Sequence, residues 1–313
     1  MKRLYILCLM WCCVSTMMRA QYDVAFGNYW ALQTFYNPAA TGLDAQLNVH
    51  GAYSMQMTGF ENAPATMYAG VDLPLFFLSP KHGVGAFFLN DEIGLFTHKK
   101  FAFQYAYHQP LWGGRLSGGV RVGFLSEGFD GSSVDVEDSG DPAFPTSEAT
   151  GSGFDFDAGL RYTHKHWFVG FSAMHCTAPV VELGEAKANE ISIATTFYLT
   201  GGYNIILRNP LYKVHTTAMV RTDAQQWRSD FTARLTYDGE KRKLYGGVGY
   251  SPTNSISMLF GGEFHGITLG YSYEMYTSGI GATSGSHELI IGYKTDLDLF
   301  KKGKNKHKSV RIL

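Results

Sequence analysis

The residues that could do chemistry come in small groups. His164-Lys165-His166 sets two imidazoles close together, and His is a common zinc ligand. No cysteine or carboxylate cluster adjoins them, so an exposed polar turn accounts for them more simply. Asp135, Glu137, Asp138 and Asp141 gather carboxylate oxygens of the kind that hold calcium. Their order is not that of an EF-hand loop, and a solvated acidic loop is the simpler reading. A Ser/His/Asp set, an HExxH helix, a Walker A loop and a GxGxxG turn between strand and helix are all missing. Gly-Gly pairs at 113–114, 118–119, 201–202, 246–247 and 261–262 fall in strands or tight turns. There they read as kinks or sites of close packing rather than phosphate cradles. The sequence therefore predicts a protein that is not an enzyme, with no catalytic residue, no metal and no cofactor.

A second set of charges says more about architecture. Asp155, Asp157, Arg161, Arg228, Asp230, Arg234, Glu263 and Glu274 belong to runs that alternate with period two. In Gly153–Thr163, Phe154, Phe156, Ala158, Leu160 and Tyr162 share one face, and Asp155, Asp157, Gly159, Arg161 and Thr163 share the other. Trp227–Tyr237 sets Phe231, Ala233 and Leu235 against Arg228, Asp230, Thr232 and Arg234. Lys100–Gln109 sets Phe101, Phe103, Tyr105 and Tyr107 against Ala102, Gln104, Ala106 and His108. Successive strand side chains point to opposite faces, so each run has an apolar and a polar side. A soluble sandwich alternates too. Here, however, the runs reach about ten residues against a usual mode of about five or six. Charges and glycines sit in mid-strand, and aromatics such as Tyr107, Trp112, Tyr162, Trp167, Tyr250 and Tyr271 gather near strand ends. Those are the marks of a barrel with a wet interior and interfacial girdles.

Fourteen such runs occur, at 46–54, 66–73, 82–90, 99–109, 115–127, 153–163, 166–175, 191–203, 211–221, 226–237, 243–251, 255–265, 267–274 and 287–295. The expected fold is all-β: a single transmembrane antiparallel β-barrel of about 14 strands with both termini periplasmic. The long connections 128–152, 176–190 and 275–286 then lie outside, and the short ones 110–114, 164–165, 238–242 and 265–266 lie in the periplasm, as in outer-membrane barrels. Only 74–81 departs from that pattern. The eight charges named above would face the lumen, either as a permeation path or as a polar network, and their mixed signs favour the network.

The composition fits a membrane barrel. Charged residues make up 17% and aromatics 15% of 313 residues, against an average of about 25% charged. Residues 1–20 read as a signal peptide: Lys2 and Arg3, an apolar stretch from Leu4 to Val14, and Ala20 before the cut. Beyond them no apolar run reaches the roughly 20 residues of a spanning helix. The expected organisation is a 1–20 signal peptide, a 21–45 N-terminal segment too long for a mere leader, a 46–300 barrel, and a 301–313 basic tail. The tail carries Lys301, Lys302, Lys304, Lys306, Lys308 and Arg311 and no acid. The stretch 21–300 is correspondingly acidic, which argues against nucleic acid as a partner. Cys176 is the one cysteine left after cleavage, so no internal disulfide is expected.

Phe35-Tyr36-Asn37-Pro38-Ala39-Ala40-Thr41-Gly42 resembles the N-terminal signature of the PorP/SprF family, outer-membrane proteins of Bacteroidetes type IX secretion and gliding. Tyr53-Ser54, Gly59–Thr66 with Asn62, Ala63 and Pro64, Asp72–Leu75, Gly270–Tyr273 and Gly285–Leu289 with Ser286, His287 and Glu288 follow in the family's order. The resemblance implies a surface role in secretion or gliding motility. It would dock secreted proteins or adhesins that carry a C-terminal sorting domain. The partners would be type IX secretion or gliding components of periplasm and outer membrane, in a setting of lipid and lipopolysaccharide. From the residues alone, Asn37-Pro38 starts a turn, Asn62-Ala63-Pro64 breaks the first hairpin, and Ser286-His287-Glu288 opens the closing strand; barrel closure would account for all of them. A porin or transporter for small solutes is the alternative.

Overall fold

The computed structural model describes residues 23–44, 46–75, 81–133, 148–184, 189–240, 242–252, 254–277 and 285–296. The expected signal peptide, the acidic run Asp135–Asp141 and the basic tail 301–313 lie outside the described residues. In chain order the strands are β1 (Leu47–Met55), β2 (Ala65–Pro74), β3 (His82–Ile93), β4 (Phe96–Leu111), β5 (Gly114–Asp130), β6 (Glu148–Thr163), β7 (Trp167–Met174), β8 (Val180–Leu183), β9 (Asn189–Ser192), β10 (Thr196–Ile206), β11 (Tyr212–Thr222), β12 (Trp227–Asp238), β13 (Arg242–Ser251), β14 (Ser255–Phe264), β15 (Ile267–Tyr276) and β16 (Ser286–Thr295). All but β8 and β9 close into a 14-stranded antiparallel barrel. β1 meets β16 in a continuous register from Leu47↔Thr295 to Met55↔His287, so no sheet edge is left open.

The alternation places the side chains as the sequence predicts. Phe101, Phe103, Tyr105 and Tyr107 of β4 are exposed on the outer wall, while Ala102, Gln104, Ala106 and His108 are buried inside. Phe154, Leu160, Phe231 and Leu235 are likewise exposed on the outside. Trp112 and Trp227 stand almost free at strand ends, 85% and 71% exposed. The tight β4–β5, β6–β7 and β14–β15 turns share one end of the barrel with the start of β1 and the end of β16; the long β5–β6, β7–β10 and β15–β16 connections share the other end with the two-residue β3–β4 turn at Gly94-Leu95.

Two local expectations need correction. The run 191–203 is not one strand. Asn189–Ser192 pairs with Val180–Leu183 in a separate hairpin, and the barrel strand begins only at Thr196. The connection drawn at 128–152 is shorter, because β5 continues to Asp130 and β6 starts at Glu148. One cause serves both: Val181, Leu183 and Ile193 bury themselves against Leu125 and Ala149 on the inner side of the β5–β6 extension. A Cβ at Gly151 would collide with the Glu182 carbonyl, so this contact is backbone-close.

The hydrophobic core lies within the barrel. Residues 23–43 run through the lumen, with a single helical turn at Gln33–Tyr36 and a 3₁₀ turn at Pro38–Ala40. Val24, Phe26, Tyr29, Leu32, Phe35 and Tyr36 of this plug are buried against Ala52, Tyr68, Phe87, Leu89, Met174, Tyr198, Met219 and Ile290 of the wall. Phe35 makes edge contacts with Tyr36, Tyr68 and Phe87 at 4.9–5.7 Å. The wall gives way where the plug crosses it: a Cβ at Gly119 would strike the Ala39 backbone, and one at Gly159 would strike the Asn37 side chain.

An Arg on the lipid face costs about 2–4 kcal/mol at the bilayer midplane and about 0–1 kcal/mol near the interface. We therefore expect Phe103→Arg and Phe231→Arg to lower the yield of folded, heat-modifiable barrel after refolding into vesicles. Trp112→Arg, at a strand end, should be tolerated. Equal yields from all three would mean that the outer face has been misplaced.

Candidate functional site

The site with the densest chemistry is the seam between plug and wall. Lys100 on β4 reaches two carboxylates of β6, with Nζ 2.5 Å from Asp155 and 3.0 Å from Asp157. Arg121 on β5 donates to Asp157 at 2.9 Å and to Gln104 at 3.0–3.1 Å. Its Nη2 also donates to the plug carbonyls of Thr34 and Phe35, at 2.5 and 2.8 Å. His175 lies between the two layers: Nε2 is 2.9 Å from Asp23 of the plug, and Nδ1 is 2.9 Å from Asp155. Tyr198 donates to the other Asp23 oxygen at 2.8 Å, and Arg221 donates to the carbonyls of Asp23 and Val24. Lys100, Arg121, His175, Asp155 and Asp157 are almost wholly buried.

Asp155, Asp157 and His175 bring carboxylate and imidazole atoms within 4.8 Å of one another, the grouping a metal would need. The Lys100 ammonium already stands against both carboxylates, so the cluster holds a built-in cation. His175 itself lies just past β7, with φ of 56°. That left-handed turn ends the strand one residue earlier than the sequence predicts and points its N–H at Asp157, 2.8 Å away. Burial on its own lowers the His175 pKa, but the Asp23 carboxylate and its hydrogen bonds outweigh this and raise it to about 9. Burial likewise acts to raise Asp23, yet His175 and the Tyr198 hydroxyl hold it well below the usual carboxylate range.

The family-like residues fall at two places. Asn37, Pro38, Gly42 and Glu288 seat the plug. Asn37 caps its own turn by accepting from the Ala39 N–H at 2.9 Å, and its amide donates to Leu160 and Phe171 carbonyls on the wall. Gly42 turns with φ of 65° and donates to Asp72 at 2.8 Å. Glu288 accepts from the Gly27 and Asn28 backbone at 2.7 and 2.9 Å and from the Asn28 amide at 2.8 Å. Asn62, Ala63, Pro64, Ser286 and His287 lie instead at the long-loop rim. There Ser286 accepts from the Met57 N–H at 3.1 Å, Asn62 accepts from Gly94 at 3.2 Å, and His287 pairs with Tyr271 at 2.6 Å. Barrel closure alone does not account for Asn37, Gly42 and Glu288, whose partners join plug to wall.

The eight charges expected in the lumen divide three ways. Asp155 and Asp157 belong to the seam. Arg228, Asp230 and Glu274 form a group toward the long-loop end, with Arg228 3.0 Å from Asp230 and 3.5 Å from Glu274. Arg161, Arg234 and Glu263 line a cavity at the short-turn end. His164 and Lys165 line that cavity as well, and His164 stacks on Trp167 at 5.6 Å. Sequence reasoning missed Lys100, Arg121, His175, Asp23 and Arg221. For Lys100 and Arg121 the signal was present, since both share the inward face of their alternating strands.

A closed fourteen-stranded barrel with a buried N-terminal plug is a membrane protein of the outer-membrane type. The chain belongs to the family of type IX secretion system membrane proteins PorP/SprF, whose model matches residues 18–293. It is also similar in fold to the toluene transporter TbuX of Ralstonia pickettii, at 12% identity and a TM-score of 0.50, over 90% of this chain and 96% of that one. A mutant of the monoaromatic hydrocarbon channel TodX is similar at 10% identity and a TM-score of 0.51, over 84% of this chain and 93% of that one. At such identities the likeness is one of fold. No curated protein matches the chain in sequence.

Two outcomes follow for the seam. Replacing Lys100 by Met leaves two buried carboxylates short of a cation, a change that typically costs about 3–5 kcal/mol. We expect the urea midpoint of Lys100→Met in micelles to fall well below that of the parent, and an unchanged midpoint would contradict the network. The His175 contribution is full below its unfolded value of about 6.5 and fades as pH rises through about 9. The Asp23 contribution is present above its ordinary value of 3.8 and fades only well below it. Exchange of plug amides should therefore accelerate above pH 9 beyond the ordinary base-catalysed increase, and His175→Gln should remove the extra acceleration.

Proposed function

We propose that this chain is a non-enzymatic docking barrel of type IX secretion and gliding. In this reading it sits in the outer membrane after signal-peptide export and holds secreted proteins or adhesins with a C-terminal sorting domain at the cell surface. It also links to periplasmic machinery at the end with the short turns. Barrels of the outer membrane keep short turns on the periplasmic side, which supports that orientation. The long-loop rim offers a fixed surface for docking: Thr58 is held to Gly285, Asn62 to the β3–β4 turn, and Ser286 to Met57. Asn62, Ala63, Pro64, Ser286 and His287 would form part of that surface, and Asn37, Pro38, Gly42 and Glu288 would keep the plug in place.

The observation that carries the reading is the plug. A solute channel needs a continuous path, whereas Tyr36, Leu32, Tyr68 and Tyr198 are buried to within 1% where the plug crosses the lumen. Planar-bilayer recording is the test. The full chain should be silent, and a chain lacking 23–43 should give steady conductance. Pull-downs from native membranes should recover secretion components with the full chain. A steady open pore in the full chain, with no such components, would favour the solute transporter instead.

A further inference from the structure

The cavity at the short-turn end has a volume of about 1070 Å³, above the roughly 300–1,000 Å³ of most small-molecule sites. Its acids are already engaged. Glu263 lies 3.5 Å from Lys243, Asp44 lies 3.1 Å from Lys294, and Asp72 accepts from Gly42 and Asn48. Four of its cations have no carboxylate within 4.0 Å among the described residues: Arg115, Arg161, Lys165 and Arg234. Two of these are buried. Arg161 is 5% exposed, lies 3.8 Å over the Phe168 ring, and donates to the Thr163 hydroxyl at 3.1 Å, with the Asp44 charge nearby but beyond ion-pair distance. Arg234 is 9% exposed and lies 3.4 Å over the Trp30 indole, which itself meets Tyr245 edge-on at 5.1 Å.

Around Arg234 the orphaned groups converge. Arg234 Nε, Trp30 Nε1 and the Tyr245 hydroxyl are all buried without a hydrogen-bond partner among the described residues. A buried cation without a counter-ion is costly to hold, and a guanidinium stacked on an aromatic ring keeps its edge free for a carboxylate. We propose that this cavity binds an acidic, extended peptide segment of a partner protein, with carboxylates placed on Arg161 and Arg234.

Spacing selects a peptide over a small anion. Arg161 is on β6 and Arg234 on β12, with β7, β10 and β11 between them in the wall. Four strand spacings of about 4.8 Å put their backbones about 19 Å apart around the wall, and each guanidinium is held over a ring of its own, Phe168 for Arg161 and Trp30 for Arg234. An extended chain at about 3.3–3.6 Å per residue covers that arc in about six residues and can offer each arginine its own carboxylate. The protein's own tail, 301–313, is excluded by charge, since it carries six basic residues and no acid. The proposal deepens the link to partner machinery at the short-turn end and rests on that part of the reading, while docking at the opposite rim stands or falls separately.

The test uses the mature full-length chain in uncharged detergent and a fluorescein-labelled hexaglutamate, with anisotropy read at low salt. Binding should weaken at least tenfold in Arg161→Gln/Arg234→Gln and stay unchanged in Arg228→Gln, whose side chain belongs to the long-loop end. In a chain with Trp112, Trp167 and Trp227 replaced by Phe, unlabelled hexaglutamate should shield Trp30 from acrylamide. That second measurement stands even if the double variant fails to fold. Undiminished binding by a folded double variant, equal binding of hexalysine, or no change at Trp30 would overturn the proposal. So would displacement by inorganic phosphate at the same concentration as free hexaglutamate, which would mark a small-anion site.

Discussion

A fourteen-stranded wall encloses more space than its own inward side chains can fill, yet less than the lumen of the large porins. The segment 23–43 meets that constraint, and most of the interior is arranged around it. An irregular segment cannot satisfy its own backbone groups as a helix or strand does, so the surroundings must satisfy them. The wall does this with charges and amides: Arg121 for two carbonyls, Glu288 for two N–H groups, Arg221 for two more carbonyls, and Asn37 reaching back to the wall in return. The polar interior is thus a receptor for a peptide that is part of the same chain.

The ionic seam shows why charges serve here where apolar packing would not. Replacing a buried ion pair with well-packed hydrophobes is often neutral or stabilising, so the pairs alone are weak evidence for stability. Lys100, Asp155, Asp157 and Arg121, however, also orient the donors that the plug needs. Asp157 is bound by Lys100 and Arg121 together, which leaves Arg121 Nη2 turned toward Thr34 and Phe35. Asp155 and Asp23 grip the two sides of one imidazole, so His175 couples wall and plug through a single ring. Apolar substitutes would fill the volume and leave the plug carbonyls without donors, the more expensive outcome.

The barrel was legible in the sequence because its wall obeys one rule throughout: alternate side chains meet lipid or lumen. The strand positions and the inward direction of Asp155 and Arg234 follow from that rule. The plug was not legible, because Val24–Tyr36 has no sustained period; its residues are chosen by an irregular cavity rather than by a repeating lattice. Even so, Tyr29, Trp30, Phe35 and Tyr36 crowd aromatics before the first strand, more than a spacer requires. The extra hairpin was hidden for a related reason. Asn189–Ser192 alternates like the strand that follows it, and only tertiary contact with Leu125 and Ala149 assigns it elsewhere.

Wall and plug also differ in what holds them. Every barrel strand is paired on both sides by backbone ladders, and the closing β1–β16 ladder includes no plug residue. The outer face takes its energy from lipid, which the plug never touches. Displacing the plug would therefore leave the ladders intact and turn Lys100, Asp155, Asp157, Arg121 and Glu288 toward water, where charges are well solvated. The main loss would be the aromatic core formed by Phe26, Phe35 and Tyr36 against Tyr68, Phe87 and Tyr198. A barrel built this way can keep its membrane stability and its seal as separate properties, with the first written in the alternation of the strands and the second in the seam.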